Sequence, residues 1–287
     1  VSDEIPVQDV LAAIGFDRQA SARVVRGGAD ALLWRVSTDE GDYALRLLRS
    51  DQRDQAEQEV TLNRWVNSHD PSLAVPRVIC SGFWNDRPAC LMTWVQGRTL
   101  GEALLSTGSG DDKIEYGRQF GEAQARIHAL PIPPGLSQFS PRWVERLGDP
   151  NLSRRVGEIM SDRFAILHLD YHPLNVMVND GALSAVLDWA NAAVGDPQFD
   201  LARTQAIIEL APLPPGTDPT SLRDFLGAWR TGYEAKAGPF EIDPVASWWA
   251  GALIEHELTP RVGNPGLPWL TDAHILRVRE WTDQYRR

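Results

Sequence analysis

The segment from residue 165 to 189 most narrows the folds open to this chain. Two short apolar runs, Val176-Met177-Val178 and Leu183–Leu187, flank Asn179-Asp180-Gly181. Asp-Gly between such runs is a strong signal for a tight β-hairpin, because both residues tolerate the positive φ that a primed turn needs. The predicted hairpin has Asn175 at its start and Asp188 at its exit, at the same end of the ribbon. Directly upstream stands His168-Leu169-Asp170-Tyr171-His172-Pro173-Leu174-Asn175, where Pro173 fixes the turn that swings Asn175 back toward the carboxylates. A fold is required that sets one short β insert, carrying Asp, Asn and Asp, within a run of helices.

The flanking sequence supports that reading. Up to about residue 95 the chain is strand-rich after a short helix, in which Val7, Val10, Leu11 and Ile14 recur at helical spacing before Gly15. Arg23–Arg26, Ala31–Ser37 and Asp42–Leu48 read as strands separated by Gly27-Gly28 and Asp39-Glu40-Gly41. A helix is expected from Asp51, as N-cap, to Val66, followed by strands Arg77–Gly82 and Pro88–Trp94. From Gly97 the pattern turns helical. Asp218-Pro219 and Asp243-Pro244 each look like an N-cap with proline in the first turn, and a last helix covers about Asp272 to Arg286. The expected fold class is α+β: a small antiparallel-sheet lobe (residues 1–95) and a larger, mainly helical lobe (residues 96–287).

Composition excludes several functions. Lys plus Arg is 28 against 39 for Asp plus Glu, a net charge of −11 that disfavours a nucleic-acid face. The longest strongly apolar stretch, Val245 to Ile254, is short of a membrane span. Cys80 and Cys90 make no disulfide framework, and Val1-Ser2-Asp3-Glu4-Ile5-Pro6 lacks a signal-peptide pattern, so the cytoplasm is the expected compartment. The sequence bears no mark of a particular oligomeric state.

An Asp, an Asn five residues on, and a second Asp after an apolar strand suit phosphoryl transfer, which needs a carboxylate to orient the attacking hydroxyl and two oxygen ligands for Mg²⁺. These residues resemble the catalytic loop of the aminoglycoside phosphotransferase and choline kinase family, which has the protein-kinase-like fold. The resemblance implies that Asp170 is the catalytic base and that Asn175 and Asp188 hold Mg²⁺. It further implies that His168 orients the loop and that Asp200, in Gly195-Asp196-Pro197-Gln198-Phe199-Asp200, braces its backbone. ATP, with GTP as the alternative, is the implied phosphoryl donor.

One departure stands out. The only lysines are Lys113 and Lys236, so the phosphate-binding lysine of the family is absent from the strand Asp42-Tyr43-Ala44-Leu45-Arg46. Arg46 takes its place, with Glu59 as carboxylate partner. Arg and Lys are not interchangeable at such a site, which opens a second reading, a catalytically degenerate nucleotide or metabolite binder. Gly27 and Gly28 would cover the phosphates, and Thr93 and Val95 would supply backbone hydrogen bonds to the base.

The acceptor implied is a small-molecule hydroxyl. The acidic charge ranks an aminoglycoside or other amino sugar first, with Asp196, Glu209, Glu255 and Glu257 as carboxylates for its ammonium groups. A third reading comes from another class: His168, Asp170 and His172 alternate, so on an extended strand they could face one metal of a hydrolase.

Overall fold

A computed structural model describes residues 5–25, 31–107, 109–139, 143–212 and 219–286. The chain divides into two compact units, Val1–Gly97 with Ser184–Asn191, and Arg98–Leu183 with Ala192–Arg287.

In the first unit the elements run α1 (Val7–Ala13), β1 (Ser21–Val25), β2 (Leu32–Thr38), β3 (Gly41–Leu47), α2 (Arg53–His69), β4 (Val78–Trp84) and β5 (Arg87–Thr93). The strands form one antiparallel sheet in the order β1-β2-β3-β5-β4. Side chains alternate between its faces. Trp34, Val36, Leu45, Leu47 and Leu91 pack with Val10 and Leu11 of α1, while Cys90 and Met92 meet Val60 of α2. Arg46 is registered against Cys90, which puts it on the α2 face. Cys80 clusters on the α1 face and Cys90 on the other, so both thiols are free. Asp51 is not the cap of α2. It sits in a 3₁₀ turn, Ser50–Gln52, and Gln52 occupies the N-cap position.

The second unit holds β6 (Arg98–Thr99), α3 (Leu100–Ser106), α4 (Gly110–Ala129), α5 (Pro150–Ile159), β7 (Ala165–Leu167), β8 (Val176–Asn179), the start of β9 (Ala182–Val186), β10 (Ala193–Gly195), α6 (Pro197–Leu210), α7 (Pro219–Ala237), α8 (Pro244–Leu258) and α9 (Asp272–Asp283). Asp180 and Gly181, at φ 50° and 81°, make the β8–β9 turn, as the Asp-Gly pair requires. Three helices begin on the same device. Asp149, Asp196 and Asp243 each precede a proline and accept a backbone N–H of the first turn. Asp218 lies outside the described residues. The final helix ends at Asp283, short of Arg286.

The core of this unit gathers Phe139, Phe199, Val245, Trp248, Trp249 and Leu253. Trp249 Nε1 donates to the Trp143 carbonyl at 2.9 Å, so the indole is buried with its polar atom satisfied. Helices α4 and α7 approach at glycines: a Cβ on Gly121 would lie 2.0 Å from the Trp229 carbonyl oxygen, and one on Gly232 2.0 Å from that of Arg118. Backbone cannot yield as a flexible side chain can. Gly121→Ala is therefore expected to cost about 1–3 kcal/mol or more, read as a lower urea-unfolding midpoint. An unchanged midpoint would contradict the close approach of the two helices.

Candidate active site

Strand β7 ends at Leu167, and the chain leaves it through an unusual backbone. Leu169 is fully buried at φ 59°, a left-handed conformation that a residue with a bulky side chain adopts only when its surroundings hold it there. Two side chains of α6 do so. Asp200 Oδ1 accepts the Leu169 N–H at 2.6 Å, and Arg203 Nε donates to the Leu169 carbonyl oxygen. Asp200 is itself held: its Oδ2 accepts from Gln124 at 2.9 Å and lies 2.9 Å from His128 Nε2, whose Nδ1 is 2.8 Å from the Tyr233 hydroxyl. Burial acts to raise the Asp200 pKa, but His128, His168 and Gln124 outweigh it and hold the carboxylate below its ordinary value.

Asp170 follows directly. Asn175 Nδ2 donates to its carbonyl oxygen and to its Oδ2, both at 3.0 Å, which fixes the amide and turns Asn175 Oδ1 away from those acceptors. His172 Nε2 stands 3.6 Å and Arg203 Nη2 3.9 Å from Asp170 Oδ1. Burial pushes the Asp170 pKa up, yet His172 and Arg203 overcome it and hold the group well below the usual carboxylate range. His168 is buried, and its Nδ1 accepts the Asp170 N–H at 3.3 Å. Tyr171 stacks on Phe120 at 4.2 Å and donates to its carbonyl at 2.8 Å, pinning the loop to α4. The positive φ of Leu169 ends the extended run, so His168, Asp170 and His172 do not line one strand as the hydrolase reading needs. Among the described residues no three His, Cys, Asp or Glu side chains gather as a metal cluster.

In the first unit Arg46 bridges two carboxylates. Its Nη1 donates to Glu59 Oε1, and its Nη2 lies 3.6 Å from Asp188 Oδ1. Asp188 has φ 62° and a side chain 39% exposed. Gln58 donates to the Ala190 carbonyl at 3.1 Å, tying α2 to the segment after Asp188. The amides of Thr93 and Trp94 are used within the unit, donating to the Arg77 and Asp42 carbonyls at 2.9 and 3.1 Å, and Val95 follows them. Gly27 and Gly28 lie outside the described residues.

The sequence matches the phosphotransferase enzyme family (APH) over residues 21–156 and 148–239. The chain belongs to this family. It is a small-molecule kinase by that membership, and its fold is protein-kinase-like. Solved structures agree. The amicoumacin kinase hAmiN superposes with a TM-score of 0.71 at 13% identity, covering 98% of this chain and 93% of that one. The aminoglycoside phosphotransferase APH(4)-Ia gives 0.64 at 16%, covering 99% and 97%. The macrolide 2'-phosphotransferase MphH from Brachybacterium faecium gives 0.57 at 21%, covering 96% and 97%. At such identities the likeness is one of fold. No curated protein matches the sequence. No helix among the described residues is long and apolar enough to cross a membrane.

Within this phosphotransferase the carboxylates considered for the acceptor are all engaged. Asp196 is 4% exposed; besides capping α6 it accepts the Ser161 N–H at 2.9 Å. Glu209 accepts from Trp281 at 2.7 Å and Gln205 at 2.9 Å. Glu255 pairs with Arg279 at 2.6 Å, and Glu257 is shared at 2.8 Å by Arg146 and Arg203. Arg203 and Gln124 carry no motif of their own in the sequence, and His172, read there only as a possible metal ligand, is instead found beside Asp170. The Asp-Pro signature read at Asp243 applies equally to Asp196 and identifies it as a cap.

Burial pushes the Glu59 carboxyl up to about 7, against the opposing pull of Arg46. The folded chain thus keeps a proton here that the unfolded chain releases at ordinary carboxylate pH. By linkage, stability falls as pH rises toward 7 through this group. Urea midpoints between pH 5.5 and 7.5 should drift downward in the wild type and less in Glu59→Gln. Equal drift in both would remove Glu59 as the cause.

Proposed function

We propose that the chain transfers the terminal phosphoryl group of ATP to a hydroxyl of a small molecule. The reading is carried by Asp170, a carboxylate backed by an amide nitrogen of Asn175 and flanked by His172 and Arg203. A group held so far below the ordinary carboxylate range is a weak proton acceptor. Its part is to orient the attacking hydroxyl by accepting its hydrogen bond, with the proton moving late, as a loose transition state allows. Asn175 Oδ1 and Asp188 are hard oxygen donors, the chemistry that Mg²⁺ prefers. Mg²⁺ would neutralise charge on the phosphates when bound. The amicoumacin kinase was solved with AMP-PNP and Ca²⁺, which supports the same donor and ion class here. Arg46 would hold phosphate oxygens, with Glu59 fixing its plane. GTP is the alternative donor, to be compared with ATP in the same assay.

The net charge of −11 favours a cationic amino-sugar acceptor. Against it, Asp196, Glu209, Glu255 and Glu257 already have partners, and ammonium groups would have to displace Arg146, Arg203 or Arg279 from two of them. A neutral hydroxyl acceptor fits these side chains better. Mg-ATP-dependent ADP release across aminoglycosides, macrolides, choline, homoserine and simple sugars tests the reading. Asp170→Asn should lower turnover about a hundred- to ten-thousandfold with little change in Mg-ATP affinity, and a variant retaining most activity would sink the assignment.

The degenerate reading rests on Arg46 and is separated by binding. Arg46→Ala should weaken Mg-ADP about tenfold or more in calorimetry, whereas Arg46→Lys should keep most of the affinity. Binding unaffected by Arg46→Ala would mean that the strand no longer serves the phosphates.

A further inference from the structure

We propose that Arg203 is a positioning residue for Asp170, acting through the peptide of Leu169 and anchored by Glu257. Leu169 is the residue whose backbone direction decides where Asp170 points, and it is held left-handed and fully buried. Asp200 takes only the N–H of Leu169; the carbonyl oxygen is taken by Arg203 Nε. Without the second contact, the backbone could rotate about the remaining one toward an ordinary φ. Arg203 is suited to the task because its plane is fixed from a second direction. Nη2 donates to Glu257 at 2.8 Å, and the other oxygen of Glu257 is held by Arg146 at 2.8 Å. The same Nη2 lies 3.9 Å from Asp170 Oδ1, so one guanidinium addresses both the backbone before the carboxylate and the carboxylate itself. Arg203 is 3% exposed, and its Nη1 is buried with no acceptor among the described residues. A packing role alone would be filled more cheaply by an apolar side chain, since a buried donor without a partner opposes folding. Lysine could reach the Leu169 carbonyl or Glu257 but could not serve both in fixed directions.

The inference rests on the phosphotransferase reading for its kinetic arm only; its structural arm does not need an acceptor. In the full chain, Arg203→Met should raise amide exchange over residues 168–171 about tenfold or more, with α4 and α8 unchanged. Arg203→Lys should fall between that variant and the wild type. With an acceptor found in the panel, Arg203→Met should lower kcat about a hundredfold while the KM for ATP stays within about threefold, and Arg203→Lys should regain at least about a tenth of the loss. Exchange unchanged over 168–171, or exchange raised alike in α4 and α8, would overturn the proposal, as would a rise in KM with kcat intact. If Arg203→Met does not fold, Glu257→Leu decides: about a fivefold rise in the same local exchange supports the clamp, and none overturns it. A wild type silent toward every acceptor would count against the phosphotransferase reading and leave exchange to decide the clamp.

Discussion

The left-handed turn at Leu169 is the constraint on which the second unit is organised. A leucine reaches that conformation at a cost of about 1–3 kcal/mol, so something must supply it. Asp200 binds the N–H of Leu169 and Arg203 its carbonyl, and both lie on α6, three residues apart and so on one helical face. Helix α6 in turn is fixed at its N-terminus by the Asp196 cap and along its length by α4, whose Gln124 and His128 meet Asp200. The strained residue is thus overdetermined by a rigid frame. Asp170 inherits the direction that this frame imposes.

The desolvation cost of a buried carboxylate explains why the frame is polar: partners must offset it. Asp200 is completely buried, yet both its oxygens have partners, and neutral donors and an imidazole keep the carboxylate ionised. Removing any one partner would leave a buried charge undercompensated, which makes such a network sensitive to single changes. The contrast with the first unit is instructive. Glu59 has Arg46 as its hydrogen-bonding partner, and Asp188 lies close enough to repel it. Its ionisation is correspondingly harder, and it sits nearer neutrality.

Features governed by local chemistry were legible in the sequence. Asp180-Gly181 announces its turn because few residues accept two successive positive φ values, and the period-two pattern of β3 already separates Arg46 from Leu45 and Leu47. The ion pair of Arg46 with Glu59 is found where the strand and the next helix place it. The start of α2 was less legible, because Asp51 is as good a cap as any Asp until the 3₁₀ turn is seen. The partners of the Leu169 peptide were legible only in part. Asp200 lies in a recognisable segment, but Arg203 and Glu257 are single polar residues in helices, 54 positions apart, with no spacing rule to link them. Glu257 looks like part of a solvated face until α6 is packed beside it.

Scarcity of lysine gives these networks a common character. Arg46 serves Glu59 and Asp188, and Arg203 serves the Leu169 carbonyl and Glu257. Each relies on a planar group whose donors diverge in fixed directions, so that one cation sets the angle between two acceptors as well as their distance. An ammonium group fixes distance alone. At position 46 the guanidinium plane couples a helix carboxylate, Glu59, to Asp188, so the angle between the two is set along with their distance.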